Sequence, residues 1–167
     1  MLPRRTACGR AMRSDSVRPM ALIRAHAGKS PAFGRDVFLA DDATLVGAVE
    51  IGDEASIWYG AVLRGDVGRI AIGARTNIQD NVTIHMTHRV SDALVGADVI
   101  VGHNVVIHGA VIEDGTMIGM QSVVLDNARI GTGSWVAAGS VVPPNLVVPP
   151  GVLVRGSPAK VVRDVRA

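Results

Sequence analysis

The sequence predicts an all-β fold, a triangular parallel solenoid whose strands are only a few residues long. Three observations predict it. Apolar residues recur every six positions; Val and Ile together number 38 against 9 Leu and 2 Lys; and the 167 residues include 19 glycines. β-branched residues favour strands, and glycine-rich chains favour turns over long helices. Stepping by six from Ile112 gives Ile118, Val124, Ile130, Val136 and Val142 without a break. Stepping back from Leu63 gives Ile57, Ile51, Leu45, Leu39 and Phe33. Ile72, Ile78, Ile84, Val95, Val101 and Ile107 lie between these runs. The register slips at extra residues near 66–71, at a loop over 86–94 and at a five-residue rung over 107–111.

The residue after each apolar site is often small, as at Gly34, Gly52, Gly73, Gly96, Gly102, Gly119 and Gly131. Four residues after the site stands another small or β-branched side chain, as at Ala43, Ala55, Thr76, Ser122, Ser134 and Ser140. A helix needs a period of 3.6, and ordinary strands a period of two with turns 8–12 residues apart. A period of six fits a short strand and a corner. Three rungs close one coil, and strands stack ~4.8 Å apart around a continuous apolar ladder. The 18 rungs make six coils. This pattern resembles the left-handed β-helix of hexapeptide-repeat proteins; the left hand is implied by that resemblance, since parallel crossovers generally favour the right.

Composition narrows the class. No apolar run reaches the ~18 residues of a membrane-spanning helix. Residues 1–30 hold seven basic groups and one acid, whereas the rest holds 10 basic and 14 acidic groups. The basic character therefore belongs to the first 30 residues, and the mildly acidic body has no basic stripe with interleaved aromatics for nucleic acid. The expected organisation is a basic, flexible N-terminal extension over 1–30, a β-helix domain over 31–160, and a short helical segment of about two turns over 161–167. The single cysteine, Cys8, excludes an internal disulfide framework and fits a cytoplasmic protein; the Arg-rich, acid-poor extension is also compatible with organelle targeting.

Fold does not give function, so the residues that break the repeat matter most. The position after the apolar site holds Arg64, Gln79, His85 and His108, with Asp66, Asn77, Asp80 and His103 close by in sequence. Every third rung shares a face, so the rungs at Leu63, Ile84 and Ile107 stack. Arg64, His85 and His108 then form one outward column, with the two histidines about one strand spacing apart. Two imidazoles at that spacing can converge on a metal ion. His103 falls on an adjacent face near a corner, out of reach of that metal within its own chain. A third ligand from a neighbouring copy implies a symmetric oligomer, and three faces suggest a trimer. His26 and His88 lie outside the constellation.

The stretches Arg64-Gly-Asp-Val-Gly-Arg-Ile70, Thr76-Asn-Ile-Gln-Asp-Asn-Val-Thr-Ile-His85 and Val101-Gly-His-Asn-Val-Val-Ile-His-Gly109 resemble the signatures of the gamma-class carbonic anhydrases. The resemblance covers roughly residues 32–160. It implies reversible hydration of carbon dioxide to bicarbonate by a metal-bound hydroxide, in a homotrimer whose sites lie between subunits. His85 and His108 from one subunit and His103 from the next would hold Zn2+, with Fe2+ or Co2+ as alternatives. Gln79 would hydrogen-bond the hydroxide or bicarbonate, Asn77 would support the site, and Arg64 would pair with Asp66 and Asp80. Val67 and His88 stand where the fully active archetype has glutamates for proton transfer; His88 could carry a proton, and Val67 cannot. Two other readings stay open. One is an idle metal-binding scaffold. The other is a coenzyme-A-dependent acyltransferase, suggested by the repeat and the closing turn Gly156-Ser-Pro-Ala-Lys160.

Overall fold

The computed structural model describes residues 21–165; residues 1–20, most of the basic extension, lie outside the described residues. The chain winds as a left-handed parallel β-solenoid of about seven turns. The apolar sites form three inward ladders. Leu45, Leu63, Ile84, Ile107, Val124 and Val142 stack on the first face. Ile51, Ile72, Val95, Ile112 and Ile130 stack on the second. Leu39, Ile57, Ile78, Val101, Ile118 and Val136 stack on the third. Each ladder continues past the predicted rungs: Ile23 pairs with Leu45, Val148 with Ile130, and Val154 with Val136. The strand Leu22–Arg24 therefore lies within the stretch assigned to the extension.

Each coil ends in corners that need a left-handed backbone. The residue three places after the apolar site has positive φ at Glu54, Asn81, Asp98, Asn104, Gln121, Asn127 and Asn145. Asn and Asp tolerate that region because their short polar side chains bond locally. The position four places after the site is buried, and its hydroxyls satisfy the corner: Thr76 Oγ1 donates to the Gly96 carbonyl and Ser134 Oγ to the Pro149 carbonyl, each at 2.6 Å. The small residues after the apolar site are demanded by stacking. A Cβ on Gly73 would stand 2.3 Å from the carbonyl carbon of Gly96.

Two departures from the repeat shape the region around the predicted site. The long strands Thr44–Ile51 and Val62–Ile72 run through the corner between the first two faces and join them into one 12-stranded sheet. Their register shifts between Gly47, opposite Gly65, and Val49, opposite Ile70. The extra residues, Asp66 to Arg69, are therefore a bulge, a device that re-aims side chains beside functional sites.

The expected C-terminal helix is not formed. Ala159–Asp164 is a strand, antiparallel to Val152–Gly156. Val161 and Val162 disfavour helix. The free edge of Val152–Gly156 supplies backbone partners that an isolated two-turn helix would lack.

Gly73→Ala should lower stability by about 1–3 kcal/mol, the cost of forcing a Cβ into a filled space. Denaturant unfolding checks this, and an unchanged midpoint would mean that these coils are not in backbone contact.

Candidate metal centre

The column predicted on the first face is present. His85 and His108 pair in register on adjacent strands. Arg64 lies one residue beyond the Leu63–Ile84 pair of the preceding coil. His85 Nδ1 and His108 Nε2 face one another at 3.4 Å, with the ring centroids 5.3 Å apart. The outer nitrogens are held by carboxylates from the coils on either side. His85 Nε2 is 3.0 Å from Asp66 Oδ1, and His108 Nδ1 is 3.0 Å from Asp126 Oδ2. Asp66 reaches His85 because of the bulge, and its other oxygen accepts from Arg64 Nη1.

The carboxylates determine which ring nitrogens carry protons. Burial pushes Asp66 up, but hydrogen bonds from Arg64 and His85 outweigh it and hold its carboxyl below the usual value. Burial likewise raises Asp126, and donation by Ser91, His108 and Thr87 brings it below the usual value. Both groups are therefore ionised near neutral pH and can only accept. His85 then carries its proton on Nε2 and His108 on Nδ1. With both rings neutral, the two inner nitrogens present lone pairs to each other, an arrangement a cation between them relieves. Paired imidazoles on adjacent strands are donors of the kind zinc takes. The residues fit a metal such as zinc as two of its ligands. Among the described residues, no group of three His, Cys, Asp or Glu side chains converges to hold an ion within one chain.

His103 occupies a different face. Its Nδ1 is 2.8 Å from Asp80 Oδ2. Within the chain Asp80 thus meets His103, whereas Arg64 meets Asp66. His103 borders a shallow apolar groove with Gln79, Ile100, Met117, Met120 and Ala137. Ile100 and Met120 in that groove are exposed. Asn77 stands on the same face, paired in register with Ile100. Its Oδ1 is buried and has no hydrogen-bond partner among the described residues. A buried acceptor left open in this way calls for a functional explanation.

The loop after His85 also turns back toward the site. His88 Nδ1 lies 3.2 Å from the carbonyl oxygen of Val67. A carbonyl only accepts, so His88 Nδ1 is the donor in this contact. The two positions that depart from the archetype, Val67 and His88, are therefore neighbours. Asp126 was not foreseen. The signal for it was faint: it follows Leu125, the residue that continues the Arg64–His85–His108 column by one coil, and otherwise looks like any corner aspartate.

Comparison with known proteins bears on the fold and the family. The bacterial transferase hexapeptide model (six repeats) matches residues 109–144. A Bacillus cereus protein provisionally described as an acetyltransferase has a solved structure that superposes with a TM-score of 0.86 at 41% identity, covering 88% of this chain and 85% of that one. A hexapeptide transferase family protein from Anaplasma phagocytophilum gives 0.83 at 40% identity, covering 87% and 85%. The chain belongs to the hexapeptide-repeat family of left-handed β-helix proteins. Within that family, part of it is similar to gamma carbonic anhydrases. It is 55% identical over 58 residues to the mitochondrial gamma carbonic anhydrase 2 of Arabidopsis thaliana, a stretch covering 35% of this chain and 21% of that protein. It is 46% identical over 66 residues to a carbonic anhydrase of Geobacillus kaustophilus, covering 40% of this chain and 36% of that protein. The matched stretches thus span about a fifth to just over a third of the length of these curated relatives.

Proposed function

We propose that this protein is a metal-dependent hydratase of the gamma carbonic anhydrase kind, interconverting carbon dioxide and bicarbonate. The observation that carries this reading is the pair of ring nitrogens, His85 Nδ1 and His108 Nε2, facing each other at 3.4 Å while their outer nitrogens are held by carboxylates. The partial similarity to gamma carbonic anhydrases supports it. The metal is Zn2+, with Fe2+ and Co2+ suited to the same imidazole set. Such an ion, held by three neutral imidazoles, supplies a water acidic enough to ionise near pH 7.

One chain offers two of the three imidazoles, so the third is His103 of a neighbouring copy. This gives a homotrimer with one site at each junction. The apolar groove around His103, with exposed Ile100 and Met120, suits burial against that neighbour. Asp66 and Asp126 hold the outer nitrogens of His85 and His108, and Arg64 fixes Asp66 in turn. Gln79 and Asn77, on the face of His103, offer amide groups to orient the substrate; Asn77 Oδ1 is an acceptor still without a partner among the described residues. His88 accepts the departing proton at Nε2 while Nδ1 stays bound to the Val67 carbonyl. With no glutamate at either position, proton export rests on this one imidazole, and turnover is slower than in relatives that have two.

A second reading, acyl transfer from coenzyme A, is favoured by the descriptions of the two structural relatives at 40–41% identity. A chelator separates the two, because hydration needs the metal and acyl transfer does not.

Three outcomes test the proposal. The purified protein should bind about one metal per chain and hydrate carbon dioxide, with activity lost on chelation and restored by zinc; acetyl-CoA turnover unaffected by chelator would replace this reading with the second. His103→Ala should abolish metal binding although His103 is remote from the pair in its own chain, and undiminished metal content would defeat the shared site. His88→Ala should reduce kcat about tenfold or more with KM nearly unchanged, and added imidazole should restore it, since proton transfer contributes ~10²–10⁴-fold. An unaltered kcat at low buffer would remove His88 from the mechanism.

A further inference from the structure

We infer that Asp126 is a positioning residue that ties metal occupancy to the order of the loop over residues 86–92. This rests on the proposed metal site and gives Asp126 a second role there. Asp126 lies on the coil after His108, and its side chain is 22% exposed. Oδ2 receives the proton of His108 Nδ1 at 3.0 Å and the hydroxyl of Thr87 at 3.1 Å. Oδ1 receives the hydroxyl of Ser91 and the backbone amide of Thr87. One carboxylate therefore bonds the ring that would hold the metal and both ends of the loop that carries His88.

The chain makes room for this junction. The rung at Ile107 is one residue short, and the corner passes through Gly109 with φ +66°. A Cβ there would stand 1.9 Å from Ser91 Oγ and 2.3 Å from Asp126 Oδ1. The loop's internal backbone bonds are those of Val90 and Ser91 to the Thr87 carbonyl; besides Asp126, it is tied to the bulge by His88 Nδ1 at the Val67 carbonyl and by Asp92 Oδ1, which accepts from the Arg69 amide. Asp126 fixes the His108 ring so that Nε2 faces His85. A filled metal site holds the ring in turn, and the ring holds the carboxylate on which Thr87 and Ser91 depend. Ordering of the His88 loop and binding of the ion are thus one coupled event.

The experiment measures zinc affinity by chelator competition, the cobalt absorption spectrum, and amide exchange of Thr87 to Asp92 with and without metal. The proteins are wild type, Asp126→Ala, Asp126→Asn and Ser91→Ala, each checked for folding by circular dichroism. Asp126→Ala should weaken zinc ~10–100-fold, the range for partners that orient a metal-bound histidine. It should also alter the cobalt spectrum, and Asp126→Asn, which keeps an acceptor for His108, should recover most of the loss. Ser91→Ala touches no ligand; it should speed loop exchange and weaken zinc several-fold. Zinc should slow loop exchange in wild type. If Asp126→Ala proves unfolded, the Asn and Ser91 variants carry the test. Wild-type affinity in the folded Asp126→Ala or Ser91→Ala protein, or loop exchange indifferent to zinc, overturns the inference while leaving the metal site intact. Absence of metal binding by wild type overturns both.

Discussion

The stacking of parallel coils is the constraint on which everything else depends. Once Leu63, Ile84, Ile107 and Val124 form one inward ladder, the residues beside them have no freedom to choose neighbours. Any side chain just after an apolar site lies one strand spacing from its counterpart above and below. The backbone thus delivers His85 against His108, and the same rule delivers glycine elsewhere in such columns, because Gly73 and Gly96 meet backbone to backbone. The repeat is strict because it is packed, and a functional pair is made by placing two histidines in one column.

Placing the pair is only half of the design. Imidazoles are ambiguous until something assigns their protons, and here the assignment comes from two aspartates reached by two different irregularities. The bulge in Val62–Ile72 brings Asp66 to His85, while the shortened rung at Gly109 opens room for Asp126 beside His108. The bulge moves Asp66 itself, whereas Asp126 stands at a regular corner position and the irregular rung at Gly109 leaves it room. The departures from the repeat are therefore where the chemistry is built, in line with the general finding that local rules fail at functional sites.

This also explains what could be read in advance. The ladders were legible because an inward position tolerates only apolar side chains, so the period appears directly in the sequence. The His85–His108 pairing followed from the period. The carboxylate contacts did not, because a bulge and a five-residue rung look like errors of register, and Asp126 looks like one more corner residue. The C-terminal strand was missed for a different reason. Residues 161–167 are long enough on their own for about two helical turns, whereas the free edge of Val152–Gly156, a strand already paired with Trp135–Val136 on its other side, takes Ala159–Asp164 as a strand. The first rung, at Ile23, was missed because the nine residues between Ile23 and Phe33 hide the period.

The position of the site along the solenoid has a mechanical consequence. Arg64 through Asp126 fall on four consecutive coils, with two plain coils before them and one plain coil and the antiparallel hairpin after. In a stacked array each coil is held only by its neighbours, so opening begins at the ends and travels inward. The end coils, with Ile23 and Phe33 half exposed, serve as sacrificial material. Fraying there is absorbed before it reaches the histidine pair, and the pair keeps a separation set by the stiffest part of the array.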